Sequence, residues 1–205
     1  MRPIELKIKG INSYREEQVI NFSQLTSQGF FGIFGPTGSG KSTILDAITL
    51  ALYAKLPRGS KNFININESS ASVSFRFSIT TTETKEYLVE RSFRYPGKDR
   101  TSTARNTTAR LSLLSETDID VLADKPTDVT RSCTDLLGLS SDDFLRTVVL
   151  PQGQFSDFLK LKNQERRGML QRIFHLERYG IELTRKVAAA RQRMDIEVSS
   201  SEGKL

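Results

Sequence analysis

The sequence predicts an α/β fold organised around one glycine-rich loop, and three observations carry that expectation. The run Gly35-Pro-Thr-Gly-Ser-Gly-Lys-Ser-Thr43 fits the phosphate-binding pattern G-x-x-x-x-G-K-[ST]. Its flanks fit too. The apolar run Gly29-Phe-Phe-Gly-Ile-Phe34 before it reads as a buried parallel strand, and Ser42–Tyr53 after it is apolar on most faces, as a helix under a sheet is. Farther along, Val73, Phe75, Phe77 and Ile79 alternate with other residues, as do Tyr87, Val89, Arg91, Phe93 and Tyr95, which is the pattern of an antiparallel hairpin.

The chemistry of the loop follows from its residue types. Gly35, Gly38 and Gly40 lack a Cβ, so the backbone can curl and point successive N–H groups at phosphate oxygens. Lys41 is a compact cation able to reach β- and γ-phosphates, and the Ser42 hydroxyl is a hard oxygen suited to magnesium. Pro36, Thr37, Ser39 and Thr43 complete the segment, whose position before a helix sets the positive end of the helix dipole against an anion. Gly35–Thr43 is therefore expected to hold a nucleoside triphosphate with its magnesium ion.

Composition bounds the rest. A chain of 205 residues suffices for one sizeable domain, or one with an appendage. No stretch approaches the roughly 18–20 apolar residues of a membrane span, and Met1–Ile8 alternates like a strand, unlike a signal peptide. Cys133 is the single cysteine, so an internal disulfide is excluded and a reducing, cytoplasmic compartment is expected. Cys133 and the one histidine, His175, cannot supply the four ligands of a zinc site. His175 reads as a surface or packing residue. The net charge of +6 permits a polyanionic partner without demanding one.

In chain order, Ile4, Leu6 and Ile8 mark a strand with one wet face, Gly10–Glu17 a turn and Gln18–Phe22 a returning strand. Leu56-Pro-Arg-Gly59 is expected to stop the loop helix. Pro96–Thr108 lacks apolar periodicity and reads as a mobile loop, while Leu111–Leu114 and Ile119–Leu122 complete an antiparallel meander. From Pro126 the period turns helical, with Val129, Cys133, Leu136 and Leu137 on one face and Gly138 as C-terminal cap. A second short helix starts at the N-cap Ser140 with Asp142 and Asp143 in its first turn. Thr147–Leu150 reads as a buried strand. Beyond Asn163 the pattern is one long polar helix with Met169, Leu170, Ile173 and Phe174 on one face, roughly 50 Å long if it continues to Val198. A kink is expected near Gly180, and Ile181/Ala188 and Val187/Met194 are spaced by seven. The expected division is a lobe over 1–162, a long helix over 163–198 and a linker-like end over 199–205.

Several of these features together resemble one family. Asn12-Ser13 follows the first strand, the loop continues into Leu45-Asp-Ala-Ile48 and Ala51-Leu-Tyr53, and Leu150-Pro-Gln-Gly-Gln-Phe-Ser-Asp-Phe-Leu159 precedes an arginine-rich helix. The chain resembles the N-terminal part of the SbcC family, SMC-like ABC-type ATPases of bacterial nuclease complexes. That resemblance implies an ABC-type P-loop NTPase lobe, with a mixed sheet, an antiparallel β-meander and a helical part leading into a coiled-coil stump. It implies ATP and Mg2+ as ligands, Gln152 (Gln154 is the alternative) near the magnesium and attacking water, and Asn12 and Ser13 near the nucleotide. It further implies a C-terminal lobe of the same protein, a second copy as an ATP-dependent dimer, the nuclease subunit SbcD at the coiled-coil base, and DNA as partners. No apolar strand ending in Asp-Glu and no Ser-Gly-Gly signature occurs in the sequence, so it is expected to hold half of an active site.

A basic cluster, Arg91, Arg94, Lys98, Arg100, Arg105 and Arg110, is the candidate phosphate-backbone contact for DNA. Lys160, Lys162, Arg166, Arg167 and Arg172 gather at the start of the long helix. Alternative readings are a chromosome-organising head without a nuclease partner, a small-molecule P-loop kinase, and an ABC transporter subunit. The meander followed by a long polar helix argues against the last two.

Overall fold

In the computed structural model, residues 1–26, 29–56, 62–97, 100, 102–115, 117–149, 162–173 and 181–202 are described. The chain divides into two units, Met1–Gln152 and Gly153–Leu205. Among the described residues the first contains six strands, β1 (Arg2–Lys9), β2 (Gln18–Asn21), β3 (Ser70–Thr80), β4 (Thr84–Arg94), β5 (Arg105–Leu114) and β6 (Ile119–Ala123). They form one sheet in the order β2-β1-β3-β4-β5-β6. Its described helices are α1 (Phe22–Leu25), α2 (Lys41–Tyr53), α3 (Pro126–Leu137) and α4 (Ser141–Thr147).

Period-2 alternation decides which face of the sheet is covered. Val73, Phe75 and Phe77 of β3 and Tyr87, Val89 and Phe93 of β4 are buried on the face that α2 covers, while α3 packs on β5 and β6. Phe75 stands opposite Val89 and Phe77 opposite Tyr87. The rings of Phe77 and Tyr87 stack at 5.6 Å between centroids. Across the other face runs a polar row, Lys7, Ser74, Glu90 and Arg110, on successive strands. At the end of β1 the chain crosses close over β3. A Cβ on Gly10, at φ +67°, would lie 2.3 Å from the Ser70 carbonyl oxygen, so only glycine fits there.

The antiparallel meander forms as the alternation predicts, and β5 begins at Arg105, inside the stretch expected to be loop. Among the described residues every strand pairing is antiparallel, so the expected mixed sheet is replaced by an antiparallel one. The missing parallel member is Gly29–Phe34, which is not a strand. Phe30 is 82% and Phe34 93% exposed. Among the described residues no strand lies beside this run, and a strand without a ladder partner leaves its N–H and C=O groups to water. Residues 147–149 likewise depart from expectation. Thr147 closes α4, Val148 is 52% exposed, and only Val149 is buried. Two valines do not specify a strand where the preceding helix still has carbonyls to satisfy, and Leu150 lies outside the described residues. The Val148 N–H duly bonds the Phe144 oxygen at 2.9 Å.

The caps of α3 and α4 follow the expected chemistry. Gly138 ends α3 in the left-handed region at φ 66°. The Ser140 hydroxyl accepts the Asp143 N–H at 3.2 Å and donates to the Asp143 carboxylate at 2.7 Å, a reciprocal cap. Lys55 bonds Asp142 at 2.6 Å, and that hydrogen bond holds the carboxyl below the usual aspartate range.

Helix α2 ends earlier than the Leu56-Pro-Arg-Gly59 signal suggests. It stops at Tyr53, with Ala54 in the left-handed conformation at φ 53°. A helix leaves its last four carbonyls without intrahelical donors. Here the Leu50 oxygen accepts from the Ala54 N–H at 2.9 Å. The next two accept from Arg91, whose Nε donates to Ala51 O at 2.6 Å and whose Nη2 donates to Leu52 O at 3.1 Å. The same guanidinium reaches Pro126 O and the Thr130 hydroxyl of α3. Arg91 is only 2% exposed, so its expected place in a DNA-facing cluster is corrected: it is a core residue that caps a helix. Burial pulls its pKa down to about 10, opposed by the Cys133 thiol beside it, so it stays charged at neutral pH. Burial in turn pushes Cys133 up to about 11, opposed by Arg91.

The second unit contains α5 (Asn163–Ile173) and α6 (Ile181–Glu202). On α6, Leu183, Val187, Ala190 and Met194 recur at spacings of four, three and four and are exposed. Phe174, Gly180 and the expected kink lie outside the described residues. No helix among the described residues is long and apolar enough to cross a membrane.

Replacing Arg91 by Met should lower the unfolding free energy in urea titrations by about 3 kcal/mol, because buried carbonyls lose their donors. Arg91→Lys should recover only part, since one ammonium cannot span both helices. A loss under about 1 kcal/mol for Arg91→Met would show that these carbonyls do not depend on it.

Candidate phosphate-binding site

The site is built at the N-terminal end of α2. Pro36 to Ser39 make a turn closed by the Ser39 N–H on Pro36 O at 3.3 Å. Gly38 and Gly40 both have positive φ, 87° and 92°. Gly40 is the N-cap of α2 and has no side chain with which to cap it, and the first turn contains no acid. The Thr43 N–H bonds Gly40 O at 2.9 Å, while the Lys41 and Ser42 amides receive no side-chain cap and the dipole is uncompensated, a ready seat for an anion. A Cβ at Gly40 would meet the Tyr14 ring at 2.8 Å, so that ring packs directly on the loop backbone.

Lys41 bends back over the loop. Its ammonium donates to Gly35 O at 2.8 Å and Pro36 O at 2.7 Å. An ammonium carries three protons, so one remains to be directed at a ligand. Ser42, one residue on, is exposed. Thr43 is buried, and its hydroxyl accepts from Asn12 Nδ2 at 3.3 Å. The Ser13 hydroxyl donates to Gly38 O at 2.8 Å. The turn after β1 therefore rests on the loop at both residues singled out from the sequence. It is strained, since Asn12 itself has φ 47°. The donor set, an ammonium, free helix amides and an exposed hydroxyl, fits a triphosphate and a hard divalent cation. Gln152 and Gln154 lie outside the described residues.

The basic cluster disperses. Arg91 is in the core, and Lys98 lies outside the described residues. Arg94 and Arg105 are exposed and stand opposite each other on β4 and β5, while exposed Arg110 is opposite Glu90. Arg100 is engaged with backbone, donating to Asn65 O at 2.9 Å and Glu68 O at 2.7 Å. A cavity of about 480 Å³ beside the loop is lined by Asn12, Ser13, Ile64, Asn65, Tyr95 and Arg100.

Sequence reasoning missed Tyr14, Asn65 and the real role of Arg91. For Arg91 the signal was present, because it shares strand parity with the buried Tyr87, Val89 and Phe93. For Tyr14 and Asn65, which act through packing and backbone contacts, no sequence pattern pointed to them.

A glycine loop that opens a helix, with its lysine folded over it, defines the P-loop class of nucleotide-binding proteins. The chain belongs to the AAA domain family, whose model matches residues 5–202. It is 49% identical to the SbcC component of nuclease SbcCD from Clostridium acetobutylicum over 99% of its length, and 51% identical to that of Bacillus subtilis over 91%. It is 34% identical to a probable DNA double-strand break repair Rad50 ATPase of Aquifex aeolicus over 92%. It spans only 18%, 16% and 18% of those relatives. One solved structure, described as structural biochemistry of ATP-driven dimerization and DNA stimulated activation of SMC ATPases, has a TM-score of 0.53. The match covers 84% of this chain and 99% of that one, at 22% identity, a likeness of fold. Membership of the family implies a nucleotide cofactor.

Gly40→Ala combines a left-handed backbone with a clash against Tyr14. It should weaken nucleotide binding by about tenfold or more in calorimetric titration, from strain of about 1–3 kcal/mol at the seat. Unchanged affinity would mean that the loop relaxes freely around a side chain there.

Proposed function

We propose that this chain is the ATP-binding lobe of an ATPase that works on DNA ends with a nuclease subunit, as the names of its relatives suggest. The observation that carries the nucleotide part is Lys41 held over Gly35 and Pro36 by two bonds with a third proton to spare. In this reading the amides at the start of α2 and Lys41 hold the phosphates of ATP. Ser42 is a ligand of Mg2+, which would neutralise phosphate charge, and Gln152 completes the metal side.

The lobe is half of a site. Phe30–Phe34 is exposed, with only the Phe31 ring packed on Phe22 at 5.8 Å and no ladder partner among the described residues, which suits completion by a second lobe of the same protein. Two such heads closing on ATP would convert binding energy into association. The exposed heptad-like stripe Leu183, Val187, Ala190 and Met194 suits a coiled-coil stump with the nuclease subunit docked near its base. DNA contact, if through this lobe, falls to exposed Arg94, Arg105 and Arg110. A cytoplasmic setting goes with the single free, buried thiol.

Lys41→Ala should weaken ATP binding by about a hundredfold or more, through loss of a charged donor worth about 1.5–3 kcal/mol and of the loop shape it maintains. Retained affinity would contradict the seat. Hydrolysis should require addition of the C-terminal lobe. Turnover by residues 1–205 alone at the rate of the longer protein would refute the half-site.

A further inference from the structure

We infer that Arg100 is a positioning residue for the nucleotide seat, acting through the turn at Asn65; this rests on the reading of Gly35–Thr43 as that seat. Arg100 does not touch the loop. Its guanidinium closes on a single turn, with Nη1 on Asn65 O at 2.9 Å and Nη2 on Glu68 O at 2.7 Å, and it lies 5.7 Å from the centre of the Tyr95 ring. The turn is already shaped by Glu68 N–H on Asn65 O at 3.0 Å and by Asn67 N–H on the Asn65 side chain at 2.9 Å. A planar fork with two donors suits two carbonyls of one turn, which a lysine serves less well.

What the turn holds is the loop's support. Asn65 Nδ2 donates to Asn12 O at 2.6 Å, and the Asn65 N–H donates to Gly10 O at 2.9 Å. The Asn12 N–H donates in turn to Phe63 O at 2.7 Å. Asn12 is thus clasped on both sides while in a left-handed conformation that a non-glycine residue keeps only when its surroundings impose it. From that clasped turn the Asn12 amide reaches Thr43 and the Ser13 hydroxyl reaches Gly38, on either side of Gly40 and Lys41. Removal of Arg100 takes the donor from Glu68 O, leaves Asn65 O with the Glu68 N–H alone and loosens the Asn65 turn, and the seat then pays the ordering cost when nucleotide binds. The exposed ion pair of Arg15 with Glu68 is too weak a tie to substitute.

ATP affinity, measured with magnesium by calorimetry on residues 1–205 and on the full-length protein, tests this. Arg100→Gln should weaken binding by about three- to tenfold, Arg100→Lys by less, and Arg131→Gln, an exposed arginine of α3, not at all. Asn65→Ala should reproduce the loss, and the double variant should be no weaker than the worse single variant. Ligand-free melting temperatures should stay within a few degrees, which separates a seat effect from a loss of fold. If Arg100→Gln does not fold, Arg100→Lys and Asn65→Ala carry the test. Full affinity in the Arg100 variants, an equal loss in Arg131→Gln, or independent losses in the double variant would overturn the proposal. The control is Lys41→Ala: if it too binds normally, the fault lies in the assignment of the loop.

Discussion

Arg91 fixes the C-terminal end of α2 to β4 and α3, and the loop inherits its position from that attachment. The helix is about 20 Å long at 1.5 Å per residue, and a rigid rod pinned at one end places the other within a small volume. The cation also lies where the helix dipole is negative, so charge and hydrogen-bond geometry favour the same site. An apolar residue there would leave the carbonyls of Ala51 and Leu52 facing the sheet with nothing to bond. Burial depresses the guanidinium only to about 10, which leaves it charged at neutral pH.

At the opposite end the loop is held from outside and from within. Lys41 ties its first residues, Ser13 its apex at Gly38, and Asn12 the first turn of α2 at Thr43, while Tyr14 packs against Gly40. The arrangement leaves polar groups of one sign facing outward, since the first turn of α2 holds no carboxylate. Preorganisation of this kind reduces the ordering that a bound phosphate must impose.

Much of this was legible in the sequence because its causes are local. Spacing in Gly35–Thr43 names the loop, alternation names β3 and β4, and Gly138 and Ser140 name the caps, each through chemistry confined to a few residues. What failed to show has non-local causes. Gly29–Phe34 has the composition of a strand, yet a strand exists only beside another, and that neighbour is not among the described residues. Arg91 looked like one of a run of positive charges until register set it against the end of a helix forty residues away in sequence. The place of Asn65 and Arg100 depends on backbone oxygens, which every residue has and which no pattern of side chains reveals.

The bare aromatic run ahead of the loop bears on how such a protein is made. Phe30, Phe31, Ile33 and Phe34 leave the ribosome early, and the matched region is less than a fifth of the clostridial relative. If a second lobe covers them as proposed, then at about 5–20 residues per second a chain of that relative's size would keep translating for on the order of a minute before that lobe emerged. Through that interval the proximal lobe would present a greasy edge to the cell, a natural client for chaperones and a reason to co-express the two halves.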